Sequence, residues 1–535
     1  MVSFSRRSQI MLASSAALFL ASCGADDVAS PGAGAIDVVI NPPAPTPTPT
    51  GTPTPTALTA AQFALATTVG SASGSVITVD EQLALVNKGT NNNVNGFGAT
   101  LNGVYPTSGT SLATASNPQT VLGNTSFIQN TSFVGAMSGP NDNAFSGWTC
   151  NSTAATFLNS ASCAAVPSIG SGGSAATCPT GTTDAGLVQG FRACRLPTTI
   201  TTDLTLPKIA GVFYRFSGET KVGTDNGVTG GTGVTLTIQP GVTLVADGSD
   251  SAVDVLIVNR GNKINAVGTA DAPIIFTSQQ NLKSDGVSDV TQGQWGGIIL
   301  LGRATTAVCA TGFTNPCQQQ IEGVSGYYYG GSNDADSSGT MQYVQIRFTG
   351  FEVTPGNELQ GLTLGGTGTG TTIDHVQSHN SSDDGIEIFG GTTNLKYFVV
   401  TGADDDGFDV DNGWRGFMQF IIAAQKVSGA TADSFATEID SNGAEDLTPR
   451  TFGRYANFTF VQQAGTNPAP SAIRLRGGAD FAFVNGIVKS PTTCVNIVAS
   501  EGTGDNRTTI RAADQAKQDA GPPTFNSVYF QCQGR

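Results

Sequence analysis

From Val234 onward, apolar and polar residues alternate in runs of only three to six positions, each run closed by Gly, Asn or Asp. A period of two over so short a span predicts strands, and no stretch of this half carries a helical period. The strands recur. Ile373 with Asp383-Asp384-Gly385-Ile386-Glu387-Ile388-Phe389-Gly390-Gly391 is matched by Leu395 with Asp405-Asp406-Gly407-Phe408-Asp409-Val410-Asp411-Asn412-Gly413, 22 residues further on. Looser repeats follow at Leu362-Thr363-Leu364, Thr437-Glu438-Ile439, Ile473-Arg474-Leu475 and Val495-Asn496-Ile497. A fixed period of this size predicts a solenoid of short strands. In each triplet the outer residues point inward and the middle one outward, because strand side chains change face at every step. Glycine pairs such as Gly365-Gly366, Gly390-Gly391 and Gly477-Gly478 suit the corners. A β-sandwich is the competing fold, and it predicts hairpin turns in place of a 22-residue register.

The rest of the chain divides into unlike parts. Residues 1–22 read as a signal peptide, with Arg6 and Arg7 before an apolar stretch too short to span a bilayer. Residues 23–57 form a Pro/Thr-rich linker containing Pro42-Pro43-Ala44-Pro45-Thr46-Pro47, which favours an extended spacer over a core. Residues 58–200 open with an expected short helix from Ala60 to Thr67 and continue as an irregular, Gly- and Asn-rich cap. Residues 201–500 are the solenoid, and 501–535 are expected to pack on its end.

Leu20-Ala21-Ser22-Cys23 resembles the lipobox of bacterial lipoproteins, which implies acylation, palmitate included, at Cys23 and a lipid-anchored outer-membrane location. Ser5-Arg6-Arg7 is similar to a twin-arginine export signal, although Gln9 stands where an aromatic is usual. Leu236-Thr237-Ile238-Gln239-Pro240-Gly241-Val242, the stretch Arg260 to Ser278, and Gln294-Trp295-Gly296-Gly297 resemble a group of Gram-negative surface lipoproteins with a right-handed parallel β-helix of pectin-lyase-like fold. That resemblance covers about residues 230–500 and implies architecture and location more than activity. The fold class expected is therefore all-β: a right-handed parallel β-helix with an irregular, disulfide-containing N-terminal cap.

Charge narrows the partners. The chain carries 25 Lys and Arg against 40 Asp and Glu, a formal net charge of −15, and a pI near 4.5. Like charge opposes an encounter with nucleic acid, so cations, neutral glycans and basic proteins remain. With Cys23 acylated, eight cysteines are left, an even number that suits disulfides in an oxidising compartment. Cys309 with Cys317 and Cys494 with Cys532 are the expected pairs, while Cys150, Cys163, Cys178 and Cys194 form a cluster of open connectivity. Zinc is the alternative for that cluster, but no CxxC spacing exists.

The 22-residue offset stacks acids. It sets Asp383 beside Asp405, Asp384 beside Asp406 and Glu387 beside Asp409, about 4.8 Å apart, with Glu438 extending the ladder and Asp404, Asp411 and Asp440 at its margins. Like charges directly opposite one another are destabilising, which calls for a neutralising ion. Ca²⁺ is the expected cofactor, because stacked carboxylates with Asn380, Asn412 and Asn442 could supply its six to eight oxygen ligands. The bland alternative is a set of solvated Asp and Asn turns. A catalytic alternative makes the ridge the site of a polysaccharide lyase or glycoside hydrolase, with Arg415, Arg474 or Arg476 assisting; the Asn-Thr-Asp and Gly-His-Gly signatures of polygalacturonases are absent. His375 and His379 read as surface residues. Tyr327-Tyr328-Tyr329, Trp295 and Trp414 could stack on sugar rings or cover the edge of the core. The function expected is a surface binding or structural module for a glycan or partner protein, with an accessory role in outer-membrane transport or secretion as a further alternative.

Overall fold

The computed structural model describes Phe63–Ala64 and residues 115–532, apart from 140–141, 168, 232, 249–252, 284–285, 352, 354–357, 427–433, 442–445, 464–468, 498–508, 510–512 and 522. Cys23, the leader and the Pro/Thr linker lie outside the described residues.

From Thr199 on, successive coils lay one strand on the next in parallel. One sheet stacks Leu362–Gly365, Ile386–Phe389, Phe408–Asp411, Thr437–Ile439, Ser471–Leu475 and Thr493–Ile497. A second, larger sheet stacks the long strands Thr372–His379, Asn394–Thr401, Phe417–Ala424, Phe452–Val461 and Asp480–Ser490. The register is the one expected from sequence: Ile373 lies beside Leu395, and Ile386 beside Phe408. This is a parallel β-helix.

The core follows from the alternation. Leu362, Leu364, Ile386, Ile388, Phe408, Val410, Ile439, Ile473 and Leu475 point inward and are fully buried, each row continuing the row of the coil before. Burial of such a side chain contributes about 1.5–3 kcal/mol, which offsets the ordering of short strands that could not stand alone. Trp295 and Trp414 belong to this interior and not to a sugar-binding surface. Their indole N–H groups donate to the carbonyls of Arg347 and Thr393.

Each long strand bends at one residue with positive φ: Tyr343 (53°), His375 (55°), Tyr397 (50°), Phe420 (59°), Asn457 (52°) and Asn485 (55°). Asparagine tolerates this conformation, but bulky residues do so only when their surroundings hold them. Here the coil pitch provides the hold. The rings of Tyr343, His375, Tyr397 and Phe420 stack in succession with centroids 4.4, 4.3 and 4.7 Å apart. His375 is therefore an inner rung of an aromatic column, and His379 is fully buried with Nδ1 2.9 Å from Thr401 Oγ1. Neither is the surface histidine expected, because the 22-residue period sets both on stacked strands.

The disulfide-containing N-terminal region has two parts. The hairpin of Thr183–Val188 and Phe191–Arg195, tied by Cys178–Cys194, closes the first end of the stack, its second strand pairing with Val212–Phe216. Residues 115–166 run along the flank as a strap from the last coils to the first. Coil amides grip its backbone in pairs of bonds. Gln377 accepts from the Cys150 N–H (2.6 Å) and donates to its carbonyl (3.1 Å), Gln419 does the same at Gln129 (2.7 Å each), and Asn485 at Ser116 (2.8 and 2.9 Å). Trp148 seals the contact against Phe145, Tyr343 and His375, and Cys150–Cys163 closes the strap on itself.

Cys309–Cys317 is formed as expected, and the cluster resolves into Cys150–Cys163 and Cys178–Cys194. Cys494 is also disulfide-bonded, while the side chain of Cys532 lies outside the described ones. The helix expected from Ala60 to Thr67 is corrected where it is described: Phe63–Ala64 is a strand, antiparallel to Thr524–Phe525, because the last coil offers unpaired backbone that a strand can satisfy. A short helix instead spans Pro118–Leu122, capped by the Asn117 side chain on the Thr120 N–H.

Trp148→Ala should cost about 3–5 kcal/mol and expose the strap to proteases, measured by urea unfolding and limited proteolysis. A variant as stable and as resistant as the wild type would show that the strap does not support the stack.

Candidate functional site

Outward-facing positions of the short strands form one continuous row: Thr363, Glu387, Asp409, Glu438, Arg474 and Asn496. A second row lies at the preceding corner. There Asp384 Oδ1 accepts the Asp406 N–H (2.9 Å), and Asp406 Oδ1 accepts the Phe435 N–H (2.7 Å). The acids expected to be neighbours are neighbours, and most are deeply buried: Asp384, Glu387 and Glu438 are each only 5% exposed.

The ridge sorts itself by partner. At its C-terminal end, Glu438 is neutralised by Arg474 (3.2 Å) and Arg476 (2.6 Å), and Arg476 lies 3.5 Å from Asp440. At its margin Asp404 pairs with Lys426 (3.3 Å) and accepts from Gln292 Nε2 (2.6 Å), while Lys426 also contacts Gln292 Oε1. Asp411 accepts the Asn412 N–H (2.5 Å). Two groups remain with their oxygens turned on one another, Asp383/Asp384/Asp405 and Asp384/Glu387/Asp409, all within 4.8 Å inside each group. Oxygens bound to one Ca²⁺ at about 2.3–2.6 Å lie no more than about 5.2 Å apart, so either group could share an ion. Glu387 adds an independent sign, because its Oε2 is buried with no hydrogen-bond partner. A charged oxygen left so would cost several kcal/mol.

Burial pushes these carboxyls up, and like charge adds to it: Asp405 acts on Asp383, Asp383 on Asp384, Asp411 on Asp409, and Asp405 on Asp406, all of which stand well above the usual carboxylate range. Glu438 is raised by burial even though Arg474 pulls it down. Burial sets Asp411 at about 6.

Of the other expected contributors, Asn380 and Asn412 use their amide nitrogens as donors, and the Asn380 Oδ1 is buried with no hydrogen-bond partner. Asn380 donates to the Asp289 carbonyl (2.7 Å), Asn412 to Tyr329 Oη (3.4 Å), and Arg415 to Gln518 (2.8 Å); Asn442 lies outside the described residues. Two acids that the period could not reveal join the ridge from loops. Glu322 is pushed up to about 7 by burial, then by Glu358 and Asp411, and it is in turn the strongest charged neighbour of Glu387. Their loops fall between repeats, so the sequence signals nearby were the bracing cysteine pair at 309 and 317 and the aromatic run Tyr327-Tyr328-Tyr329, neither of which points to an acid.

Tyr329 is buried over Phe389, while Tyr328 stacks on the exposed Phe313 with centroids 5.2 Å apart and Tyr327 donates to Glu219 (2.6 Å). Tyr329 adjoins the acids, the charges of Asp411 and Glu387 adding to the burial that raises its hydroxyl. A family model described as a pectate-lyase-like β-helix domain matches residues 199–530. No curated protein and no solved structure matches the chain.

The raised carboxyls fix a pH dependence. A group whose pKa is higher folded than unfolded binds protons in the native state first, so its contribution is full in acid and is lost as pH rises from the ordinary range near 4 through about 6 to 7. His379, lowered by burial to about 3, opposes this below about 6.5, but it is outnumbered. In chelator, the melting temperature should rise between pH 7.5 and 5.5. A fall over that interval would contradict the burial of ionised ridge acids.

Proposed function

We propose that this chain, which belongs to the pectate-lyase-like β-helix family, is a cation-loaded binding module that presents one face of its coils to a carbohydrate. The observation that carries the reading is the buried, unpartnered Oε2 of Glu387, whose carboxylate gathers with those of Asp384 and Asp409 within 4.8 Å. An anionic cluster of this kind is stable only if it is protonated or shares a cation. Ca²⁺ fits because it accepts several carboxylates in irregular geometry, whereas Mg²⁺ demands a tighter octahedron and keeps its waters.

Holding an ion is favoured over acid–base turnover at this site. The acids are buried, and Arg474 and Arg476, which could assist a reaction, are paired with Glu438 and Asp440. The ion would tie adjacent coils together and keep the outer face rigid. Phe313 and Tyr328, partly exposed on the loop that carries Tyr329, supply an apolar platform of the kind on which a sugar ring stacks. The leader and Cys23 place this module, in our reading, on a lipid anchor at the outer membrane, with the Pro/Thr stretch as its stalk.

Added Ca²⁺ should raise the melting temperature of chelator-stripped protein at pH 7.5, and Glu387→Gln should bind the ion at least tenfold more weakly while folding normally. An unchanged melting temperature would remove the ion from this account. Cys23→Ser should move the protein from the membrane fraction to the soluble fraction; continued membrane recovery would remove the anchor.

A further inference from the structure

The ion pair at the margin of the ridge has a third member. Gln292 offers its whole carboxamide to the two charged groups: Nε2 donates to Asp404 Oδ2 (2.6 Å), and Oε1 accepts from Lys426 Nζ, which also lies 3.3 Å from Asp404 Oδ1. An amine, a carboxamide and a carboxylate therefore meet in one ring of contacts. Gln292 and Lys426 are 134 residues apart in the chain.

Backbone bonds hold each of the three in place. The N–H groups of Gly293 and Gln294 donate to the carbonyls of Thr349 (2.8 Å) and Phe348 (2.9 Å), that of Asp404 to Ser381 (3.0 Å), and that of Gln425, next to Lys426, to Val461 (2.9 Å). The Lys426 side chain is 2% exposed and that of Asp404 13%. A buried primary amine held against a carboxamide, with a carboxylate touching both nitrogens, needs no further encounter to react. The reaction would also consume a buried ion pair, whose desolvation its own attraction need not repay.

We propose that Lys426 and Gln292 become joined by an isopeptide bond, with Asp404 as the proton carrier. The Lys426 Nζ lone pair attacks Gln292 Cδ, the Nζ–Cδ bond forms, and the Cδ–Nε2 bond breaks. Of the three ammonium protons, one stays on the new amide, one goes to the leaving nitrogen, which departs as ammonia, and one remains on Asp404. No oxidant or co-reactant is consumed, and two buried charges are exchanged for neutral groups. The bond ties the turn before Ile298–Leu301 to the end of Phe417–Ala424, several coils further along the stack. It also fixes the neighbourhood of Asp289, whose carboxylate accepts the Thr153 N–H of the strap (3.2 Å). A cross-link closing so long a stretch restricts the unfolded chain and so secures both stack and strap.

The test takes the full chain, reduced, alkylated and digested with trypsin, to mass spectrometry. Residues 284–303 and 416–450 should appear as one branched peptide, lighter by one ammonia than its two parts together and uncleaved at Lys426. Lys426→Arg keeps a cation beside Asp404 but lacks the amine, so it should give linear peptides only and melt at a lower temperature. Asp404→Asn should leave most chains unlinked. Linear peptides alone from the wild-type chain, with cleavage at Lys426, would overturn the inference, and an Asp404→Asn chain linked as fully as the wild type would overturn the role given to Asp404.

Discussion

The structure depends on one constraint: consecutive coils stack in register, so residues 22 positions apart become neighbours at about the strand spacing. For apolar rows this is favourable, since each coil covers the one before and every inward Leu, Ile or Phe gains a neighbour of its own kind. For acids it is costly. The same register that buries Ile386 against Phe408 sets Glu387 against Asp409 and Asp383 near Asp405. In this sequence the register that builds the core also builds the acidic ridge, and the charge on that ridge must be met by cationic side chains, by protons or by an ion.

Cationic side chains and backbone N–H groups meet part of that charge on the one face, and an ion is what we propose for the rest. Arg474 and Arg476 neutralise the C-terminal end at Glu438 and Asp440, and Lys426 meets Asp404 at the margin. Backbone N–H groups satisfy Asp384 and Asp406 in part. Between these ends, Glu387 keeps a buried oxygen with no partner, and the loops bring further acids toward it. Concentrating negative charge at that point is intelligible if an ion sits there. The opposite flank solves a different problem. There the strained aromatic corners stack on one another, and the strap covers them while coil amides satisfy its backbone.

What the sequence disclosed and what it hid follow from the same physics. The ladder from Glu387 through Asp409 to Glu438 was legible because a strict period maps sequence distance onto space. The extension to Arg474 was legible for the same reason. Glu322 was not, because its loop has no period and its position is fixed by Ile321 and Tyr329 packing on coils far away in sequence. The flank strap was hidden because side-chain amides recognise its backbone, which leaves no signature in its side chains. His375 and His379 were misplaced on the surface, and Trp295 and Trp414 were left open between a sugar-stacking face and the edge of the core, since residue type alone cannot tell an outward aromatic from one that closes a corner or fills the core.

Anomalous diffraction from crystals of chelator-stripped protein soaked in terbium at pH 7.5 tests directly whether an ion sits among the ridge carboxylates. A difference peak enclosed by Asp384, Glu387 and Asp409 is the result the account predicts. A ridge with no peak, in which the same carboxyls hydrogen-bond to one another as protonated pairs, would contradict it.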